Sequence, residues 1–218
     1  MTKYNYLKAS MEIVPGVIFL KQSDPILATV IERISYDNLE LTYYQEELDL
    51  LTALCQAIIF QQISTKVATK IFQRFILLYQ QSDRQLTARA ILETPDEVLR
   101  SVGISRPKII YLKDLALKIE QGLPTLPELA LMEDVAVIES LTQVKGIGKW
   151  TAQMFLIFHL HRPDILPVND LGIRSAIAKL YNLNTLPDPK TIEKVAQKWQ
   201  PYRSLACRYL WRSLAIND

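Results

Sequence analysis

The spacing of apolar residues constrains the fold of this chain more than any other feature. Apolar residues recur at intervals of three and four in its strongest patterns, as in the series Ile26, Leu27, Val30, Ile31 and Ile34. This spacing places side chains on one face of a helix, whereas a half-buried strand needs strict alternation. No long segment alternates in that way, so we expect an all-α fold.

Helix start and stop signals divide the chain into many helices. Proline and capping residues indicate starts, and Gly103 indicates a stop. Residues 1–22 are expected to be irregular with a turn at Pro15-Gly16, and residues 122–127 to be a linker. The expected helices are about 25–34, 46–60, 64–79, 87–92, 96–101, 106–121, 134–142, 148–158, 171–181, 189–199 and 201 past 211.

Composition limits the classes of protein to be considered. With 218 residues, 49% of them hydrophobic, the chain can bury a core as one domain or two small lobes. Its net charge is only +2, so any nucleic-acid binding must depend on locally placed groups and not on a basic surface.

Several other classes are excluded by what the sequence lacks. No N-terminal signal and no run of about eighteen apolar residues occurs, so we expect a soluble intracellular protein without membrane partners. Cys55 and Cys207 lie among apolar residues and are expected to pack as small hydrophobes. Two cysteines cannot hold a four-cysteine iron-sulfur cluster.

A glycine turn joins two amphipathic runs at Lys145-Gly146-Ile147-Gly148-Lys149. Glycine permits a sharp bend and a close backbone approach. The amides at the start of the following helix would then face outward and, with the positive end of the helix dipole, form an anion site. An ordinary helix-helix turn is the alternative interpretation, since Gly-x-Gly alone is a weak signal.

Two polar features carry further candidate sites. Asp170 ends a proline-containing loop and begins a helix, where an aspartate is either a simple N-cap or a carboxylate held ready for chemistry. Gln61 and Gln62 interrupt apolar neighbours between two helices, with Ser64 as a candidate cap. Ser105 and Lys108, at another helix start, are candidates for phosphate contact, although capping explains them almost as well.

The span from Leu141 to Gly172 resembles the helix-hairpin-helix DNA glycosylases. The pattern Leu141-x-x-Val144-x-Gly-Ile-Gly-x-x-Thr-Ala is followed by Pro163, Pro167 and Asp170. The whole resemblance covers residues 23–216 and is closest to the 3-methyladenine DNA glycosylase II group. It implies two helical lobes with a cleft between them, about 40–125 and 126–200, with 1–39 and 201–218 packing on the second lobe.

The resemblance assigns Asp170 as the catalytic carboxylate. Base release resembles glycoside hydrolysis, in which a carboxylate stabilises positive charge at the sugar and orients water. The resemblance also places Trp150 and Trp211 around the base, where indole faces attract a cationic alkylated purine. Met154 stands where some relatives carry a pocket tyrosine, so base selectivity is the property least determined.

DNA contacts are implied at two further places. Gln62 matches the residue that fills the gap left by the extruded nucleotide, and Ser64 would face the minor groove. The hairpin would hold phosphates, and in relatives it also binds Na⁺ or K⁺ through main-chain carbonyls. The phosphate contacts would come from Lys145, Gly146, Gly148, Lys149 and Thr151, and the carbonyls from Thr142, Val144 and Ile147.

The sequence therefore predicts a monofunctional glycosylase that releases alkylated purines from double-stranded DNA in base excision repair. Trp150 occupies the position of the lysine used by related lyases, so no lyase activity is expected. A helix-hairpin-helix module without catalysis is the alternative. A monomer without a required cofactor is expected, in the cytoplasm, associated with the nucleoid in a bacterium or nuclear in a eukaryote. His159 and His161 have no partners at metal-ligand spacing.

Overall fold

The computed structural model describes residues 15–34, 39, 48–80 and 85–215, and no residue in these ranges forms a strand. The all-α prediction is confirmed. Residues 15–23 form helix α1, and a 3₁₀ turn, Gln197–Trp199, follows α12. The other helices are α2 Pro25–Arg33, α3 Leu50–Phe60, α4 Thr65–Gln80, α5 Ala88–Glu93, α6 Asp96–Ser101, α7 Arg106–Glu120, α8 Leu126–Leu131, α9 Asp134–Leu141, α10 Lys149–Phe158, α11 Leu171–Leu180, α12 Pro189–Ala196 and α13 Arg203–Ser213.

Local capping chemistry explains where most of these helices begin. Asp49, Asp170 and Asp188 each accept a backbone N–H of the following first turn. Asp24 accepts two, from Ile26 and Leu27. Each bond satisfies a donor that has no partner within its helix, which stabilises a helix by about 1 kcal/mol.

Two segments predicted to be irregular are helical, which corrects the sequence interpretation. Residues 15–23 form α1 although Pro15-Gly16 suggested a turn; proline is compatible with a first helical turn. The expected linker at residues 122–127 overlaps the start of α8, which begins at Leu126 with a capping box in which Glu128 accepts from both the N–H and the hydroxyl of Thr125. The sequence also predicts a polar break at about residues 36–42, which lies almost wholly outside the described residues.

The chain forms two compact units, one made of residues 1–44 and 156–218 and the other of residues 45–155. The sequence-based lobes divided instead after residue 125, and that division stays a prediction. The observed grouping has a physical reason, because the side chains of Gln61, just after α3, and Asp114, in α7, bond to the glycine turn at residues 144–148.

The 1–44 and 156–218 unit is built around a buried carboxylate. Asp24 is fully buried and accepts hydrogen bonds from the Tyr181 hydroxyl and from Trp199 Nε1 at 2.7 Å, with Lys198 Nζ at 3.1 Å. Burial alone would raise the pKa of Asp24, but these donors together with the Leu27 N–H hold it below its usual value. Apolar residues of α2, α11, α12 and α13 pack around this group.

The 45–155 unit packs α3 against α4 and α7, and α5 against α7. Helix α3 is apolar nearly all round and buries nine of its eleven residues. Phe72, Phe75 and Tyr79 form a continuous aromatic row on the inner face of α4. Cys55 of this unit and Cys207 of the other are buried free thiols, as predicted. Within the described ranges, every helix is too short or too polar to span a bilayer.

Candidate active site

Asp170 is the N-cap of α11 and is held by an indole. Its Oδ1 atom accepts hydrogen bonds from the N–H of Ile173 at 2.7 Å and from Nε1 of Trp211 at 2.8 Å. Asp170 is 8% exposed. The aspartate therefore caps a helix, as the simpler interpretation expected, and also contacts one of the two tryptophans that the resemblance placed at the site.

Gly172 provides the space that this contact requires. A β-carbon at Gly172 would lie 3.0 Å from Cδ1 of Trp211 and 3.1 Å from Oδ1 of Asp170. The Trp211 ring also packs against Phe158, with ring centroids 5.8 Å apart. The indole is thus held between a glycine, an aromatic ring and a carboxylate oxygen.

The loop that leads to Asp170 is bonded to the start of α13. Arg203 donates from Nε to Oδ1 of Asp164 at 2.7 Å and from Nη2 to Oδ2 at 2.9 Å. Ser204 donates its N–H to the Pro163 carbonyl and accepts the Ile165 N–H through its hydroxyl, both at 2.9 Å. Three consecutive loop residues are therefore attached to two consecutive helix residues.

The glycine turn between α9 and α10 has the conformation that the sequence suggested at one of its two glycines. Gly146 has φ +84°, and a β-carbon there would lie 2.3 Å from the Tyr111 ring. Gly148 has an ordinary negative φ and open space, so conformation does not require glycine there. In this part of the structure the N–H groups of Gly146, Gly148 and Lys149 donate to no protein acceptor.

The two lysines of the turn differ in their surroundings. Lys145 donates its N–H to Oδ2 of Asp114 at 2.8 Å, and its ammonium lies 3.4 Å from Oδ1. That backbone amide is therefore occupied within the protein, unlike the amides of Gly146, Gly148 and Lys149. Lys149 is exposed at the first position of α10. Thr151, two residues further, is buried, so it has limited contact with solvent.

The glutamine junction between α3 and α4 is an exposed loop tied to the glycine turn. Gln62 is exposed and has φ +57°, a left-handed conformation that is uncommon outside glycine and is often found at functional positions. Gln61 donates from Nε2 to the Gly146 carbonyl at 2.8 Å. Ser64 is exposed, and the structure gives it no side-chain capping bond.

Lys108 bonds to the end of α3, and its predicted phosphate contact stays a prediction. Its ammonium donates to the carbonyls of Ile59 at 2.8 Å and Gln61 at 2.7 Å, at the C-terminal end of α3. Burial lowers the pKa of this ammonium. A cation at a helix C-terminus satisfies carbonyls and complements the dipole. By contrast, Ser105 is exposed at the start of α7 and makes no capping bond, so its phosphate contact stays a prediction.

The remaining two base-pocket candidates lie in the 45–155 unit on α10. Trp150 is 46% exposed and Met154 is buried. Ile147, Phe155 and Phe158 are buried as well. A role for Trp150 or Met154 in holding a base stays a prediction.

The main-chain carbonyl oxygens predicted to bind a monovalent cation have free lone pairs within the described chain. The carbonyls of Thr142 and Ile147 accept no hydrogen bond within the described chain, and that of Val144 accepts only the Ile147 N–H at 3.0 Å, which leaves a second lone pair. Across the same ranges, no three His, Cys, Asp or Glu side chains gather as a metal site. Burial and the nearby His161 lower the pKa of His159 to about 4.

Comparison with known proteins identifies the family. Residues 55–201 match the model of the HhH-GPD superfamily of base excision DNA repair proteins. The chain belongs to this superfamily. It is 36% identical over 166 residues to DNA-3-methyladenine glycosylase 1 of Schizosaccharomyces pombe, covering 76% of this chain and 72% of that relative.

Solved HhH-GPD structures agree with this assignment. The S. pombe 3-methyladenine DNA glycosylase Mag1 in complex with abasic DNA has a TM-score of 0.82 at 32% identity, covering 93% of this chain and 97% of that one. The Bacillus halodurans DNA-3-methyladenine glycosidase has a TM-score of 0.75, also at 32% identity, covering 91% and 88%. The sequence-based recognition of the family is therefore confirmed.

Several residues that shape the HhH-GPD site were not found from the sequence. Gly172, Arg203 and Tyr111 each contact a segment that is distant in the chain. A local sequence pattern does not reveal such contacts. One signal was available: a glycine just inside a helix lowers helix propensity by about 1 kcal/mol relative to alanine, so its presence suggests a packing requirement.

Proposed function

We propose that this chain is a monofunctional DNA glycosylase that hydrolyses the N-glycosidic bond of alkylated purines, of the 3-methyladenine type, extruded from duplex DNA. The observation that carries the proposal is the pair Asp170 and Trp211, in which one carboxylate oxygen is fixed by an indole N–H and a helix amide. The S. pombe relative is named a DNA-3-methyladenine glycosylase and the B. halodurans relative a DNA-3-methyladenine glycosidase, and both names support the same substrate class.

The carboxylate supplies the negative charge that the reaction needs. As the glycosidic bond breaks, positive charge develops at the sugar, and a fixed carboxylate lowers the energy of that transition state. The hydrogen bonds to Oδ1 of Asp170 hold the group in one orientation, so it need not reorganise during the reaction. The same group orients the attacking water.

One carboxylate suffices because the leaving base is already cationic. An N-alkylated purine leaves as a neutral molecule, so no general acid is required to protonate it. Indole faces attract such a base by a cation–π interaction of about 0.5 to 2 kcal/mol. Trp211 and the exposed Trp150 are the residues proposed for this contact.

DNA is held, in this proposal, by elements of the 45–155 unit. The unpaired amides of Gly146, Gly148 and Lys149, at the positive end of α10, donate hydrogen bonds to a DNA phosphate, with Lys145 and Thr151 beside them. Gln62 enters the base stack in place of the extruded nucleotide, and Ser64 contacts the minor groove. Extrusion costs a few kcal/mol, which these contacts offset.

Base release proceeds without a lyase step. A lyase of this kind needs an amine that attacks the sugar, and Trp150 stands where related lyases carry that lysine. Lys149 lies one residue earlier, about 100° away around the helix. A Na⁺ or K⁺ on the carbonyls of Thr142, Val144 and Ile147 would support the turn, and the protein acts as a monomer.

Replacement of Asp170 tests the proposal directly. In Asp170→Asn, Oδ1 can still accept both hydrogen bonds but the negative charge is lost. Release of 3-methyladenine from alkylated duplex DNA should fall by about a hundredfold or more, while DNA affinity stays within about twofold. Asp188→Asn, at an exposed helix cap of the same unit, is the control and should retain full activity. Unchanged release by Asp170→Asn would contradict the proposed mechanism.

The unpaired amides alone would also suit a DNA-binding module without catalysis, which is the second candidate. Alkylated DNA incubated with the protein and then treated with alkali distinguishes the two. Strand breaks at the lesions support the glycosylase, and intact strands support the binding module. Covalent trapping by borohydride would instead reveal a lyase.

A further inference from the structure

We propose that Asp164 and Arg203 are a positioning pair that sets the Asp170 carboxylate against the Trp211 indole. The proposal rests on the proposed glycosylase function and adds residues that act through others, without touching the substrate. Asp164 precedes Asp170 by six residues in the loop, and Arg203 precedes Trp211 by eight residues in α13.

The contacts form a closed frame with two attachment points. At one end, residues 163–165 are bonded to Arg203 and Ser204. At the other end, Asp170 Oδ1 accepts the Trp211 Nε1–H at 2.8 Å. The loop supplies one side of the frame and two turns of α13 supply the other, so a shift at the first attachment changes the geometry at the second.

The first attachment is specific in direction as well as position. Arg203 grips both oxygens of Asp164, and Nη2 also reaches the Asp164 carbonyl at 3.2 Å. The Arg203 N–H adds a bond to Oδ1 at 3.3 Å. A planar guanidinium that binds a carboxylate through two parallel bonds fixes angle and distance, which a lysine ammonium cannot do.

The remainder of the loop is short and internally bonded. Val168 N–H donates to the Leu166 carbonyl at 3.0 Å, and Asp170 N–H donates to the Pro167 carbonyl at 2.9 Å. The proline ring restricts the backbone further. Displacement at Asp164 is therefore transmitted to Asp170 and not absorbed along the loop.

A positioning pair has a kinetic consequence that a simple stabilising pair lacks. A displacement of about 1 Å at reacting groups can reduce a rate by about a hundredfold. The Arg203 guanidinium binds Asp164 and not DNA in this proposal. Replacement of Arg203 should therefore lower the rate of base release at saturating DNA and leave DNA affinity unchanged. A residue that contacted phosphate would show the reverse.

The experiment measures single-turnover base release at saturating DNA, well below the melting temperature of each variant. Asp164→Asn and Arg203→Ala should each reduce the rate by about ten- to a hundredfold, and Arg203→Lys by less. Millimolar guanidinium added to Arg203→Ala should restore part of the rate. DNA affinity should stay within about twofold, and Asp188→Asn is again the control.

Three outcomes would overturn the proposal: variant rates equal to wild type, a rate loss that follows only the folded fraction, or affinity that falls with the rate. The outcome is separable from that of the proposed function. If wild type releases no base, the proposed function fails; if wild type is active and the variants are equally active, only the positioning role fails.

Discussion

Gly172 shows how a single residue can serve activity at the expense of helix propensity. Two residues after Asp170 the chain places a glycine inside α11, where alanine would favour the helix by about 1 kcal/mol. The reason is the indole, since a β-carbon would press on Trp211 and on Oδ1 of Asp170. The contact between Asp170 and Trp211 therefore requires a residue without a side chain at position 172.

Gly172→Ala should separate stability from activity. The added methyl pushes Trp211 away from Asp170 and weakens the bond between them. A hydrogen bond to a charged group contributes about 1.5 to 3 kcal/mol, so base release should fall by about tenfold or more. The free energy of unfolding should stay within about 1 kcal/mol, because the gain in helix propensity offsets the local strain. Both quantities are measured, by single-turnover release and by urea unfolding.

Trp211→Phe supplies the partner for a double-mutant cycle. It removes the Nε1–H donor and keeps an aromatic ring, so Gly172→Ala and Trp211→Phe should lose the same interaction. Their effects on rate should then be strongly non-additive in the double variant. Fully additive effects would mean that Gly172 acts by some route other than the indole.

At the scale of elements, α7 connects the glutamine junction to the glycine turn. Lys108 holds the carbonyls at the end of α3, Tyr111 packs on Gly146, and Asp114 bonds to Lys145. Gln61 completes the link through the Gly146 carbonyl. One helix thus supports two loops that are far apart in sequence and that the proposed function assigns to DNA.

Lys108→Met should weaken this support without removing a phosphate contact. We expect a loss of about 1 to 2 kcal/mol in the free energy of unfolding, since two carbonyls lose a charged donor, and slower base release. The salt dependence of DNA binding should stay unchanged. Lys149→Met is the comparison and should reduce the slope of log K against log salt by about one. An equal reduction in Lys108→Met would show that Lys108 binds phosphate after all.

The sequence predicted elements well where the signal is local and poorly where it is not. The Asp24-Pro25 and Asp188-Pro189 pairs mark helix starts because capping and proline act on adjacent residues. Helix α8 was missed because two prolines and a glycine suggested a linker, although the capping box with Glu128 was present. The bonds from Lys108 to the end of α3 were not predicted because the acceptors lie about fifty residues earlier in the chain.

At the scale of the whole molecule, the unit that carries Asp170 depends on a long-range buried charge. Asp24, near the start of the described chain, receives donors from Tyr181, Trp199 and Lys198. Asp188 offers a matched comparison, since it too caps a helix that begins with proline but is exposed. The local sequence motif, an aspartate cap followed by proline, is the same at both positions. Only the surroundings differ, because Asp24 is buried and Asp188 is exposed.

Asp24→Asn should therefore destabilise the protein far more than Asp188→Asn. Its amide group would face the Trp199 and Lys198 donors, which should lower the free energy of unfolding by about 3 kcal/mol. Asn caps a helix as well as Asp, so Asp188→Asn should have almost no effect. Urea unfolding at neutral pH measures both.

The loss of unfolding free energy in Asp24→Asn should also become smaller as the pH falls. Because the pKa of folded Asp24 lies below its usual value, the carboxylate stabilises the fold fully above about pH 5, and this contribution is lost as the pH falls through the folded pKa. The difference between wild type and Asp24→Asn should be constant from pH 8 to 5 and shrink below pH 4. A difference that grows in acid would contradict this account.

The division of the chain into a continuous 45–155 unit and a unit built from both flanking segments has a consequence for biosynthesis. On the ribosome, the continuous unit emerges whole and its contacts can form at once. Helix α2 must wait for Tyr181 and Trp199, and Asp170 must wait for Trp211. The nascent protein thus completes the proposed DNA-binding surface before the proposed catalytic group, so the capacity to release a base is the last to form.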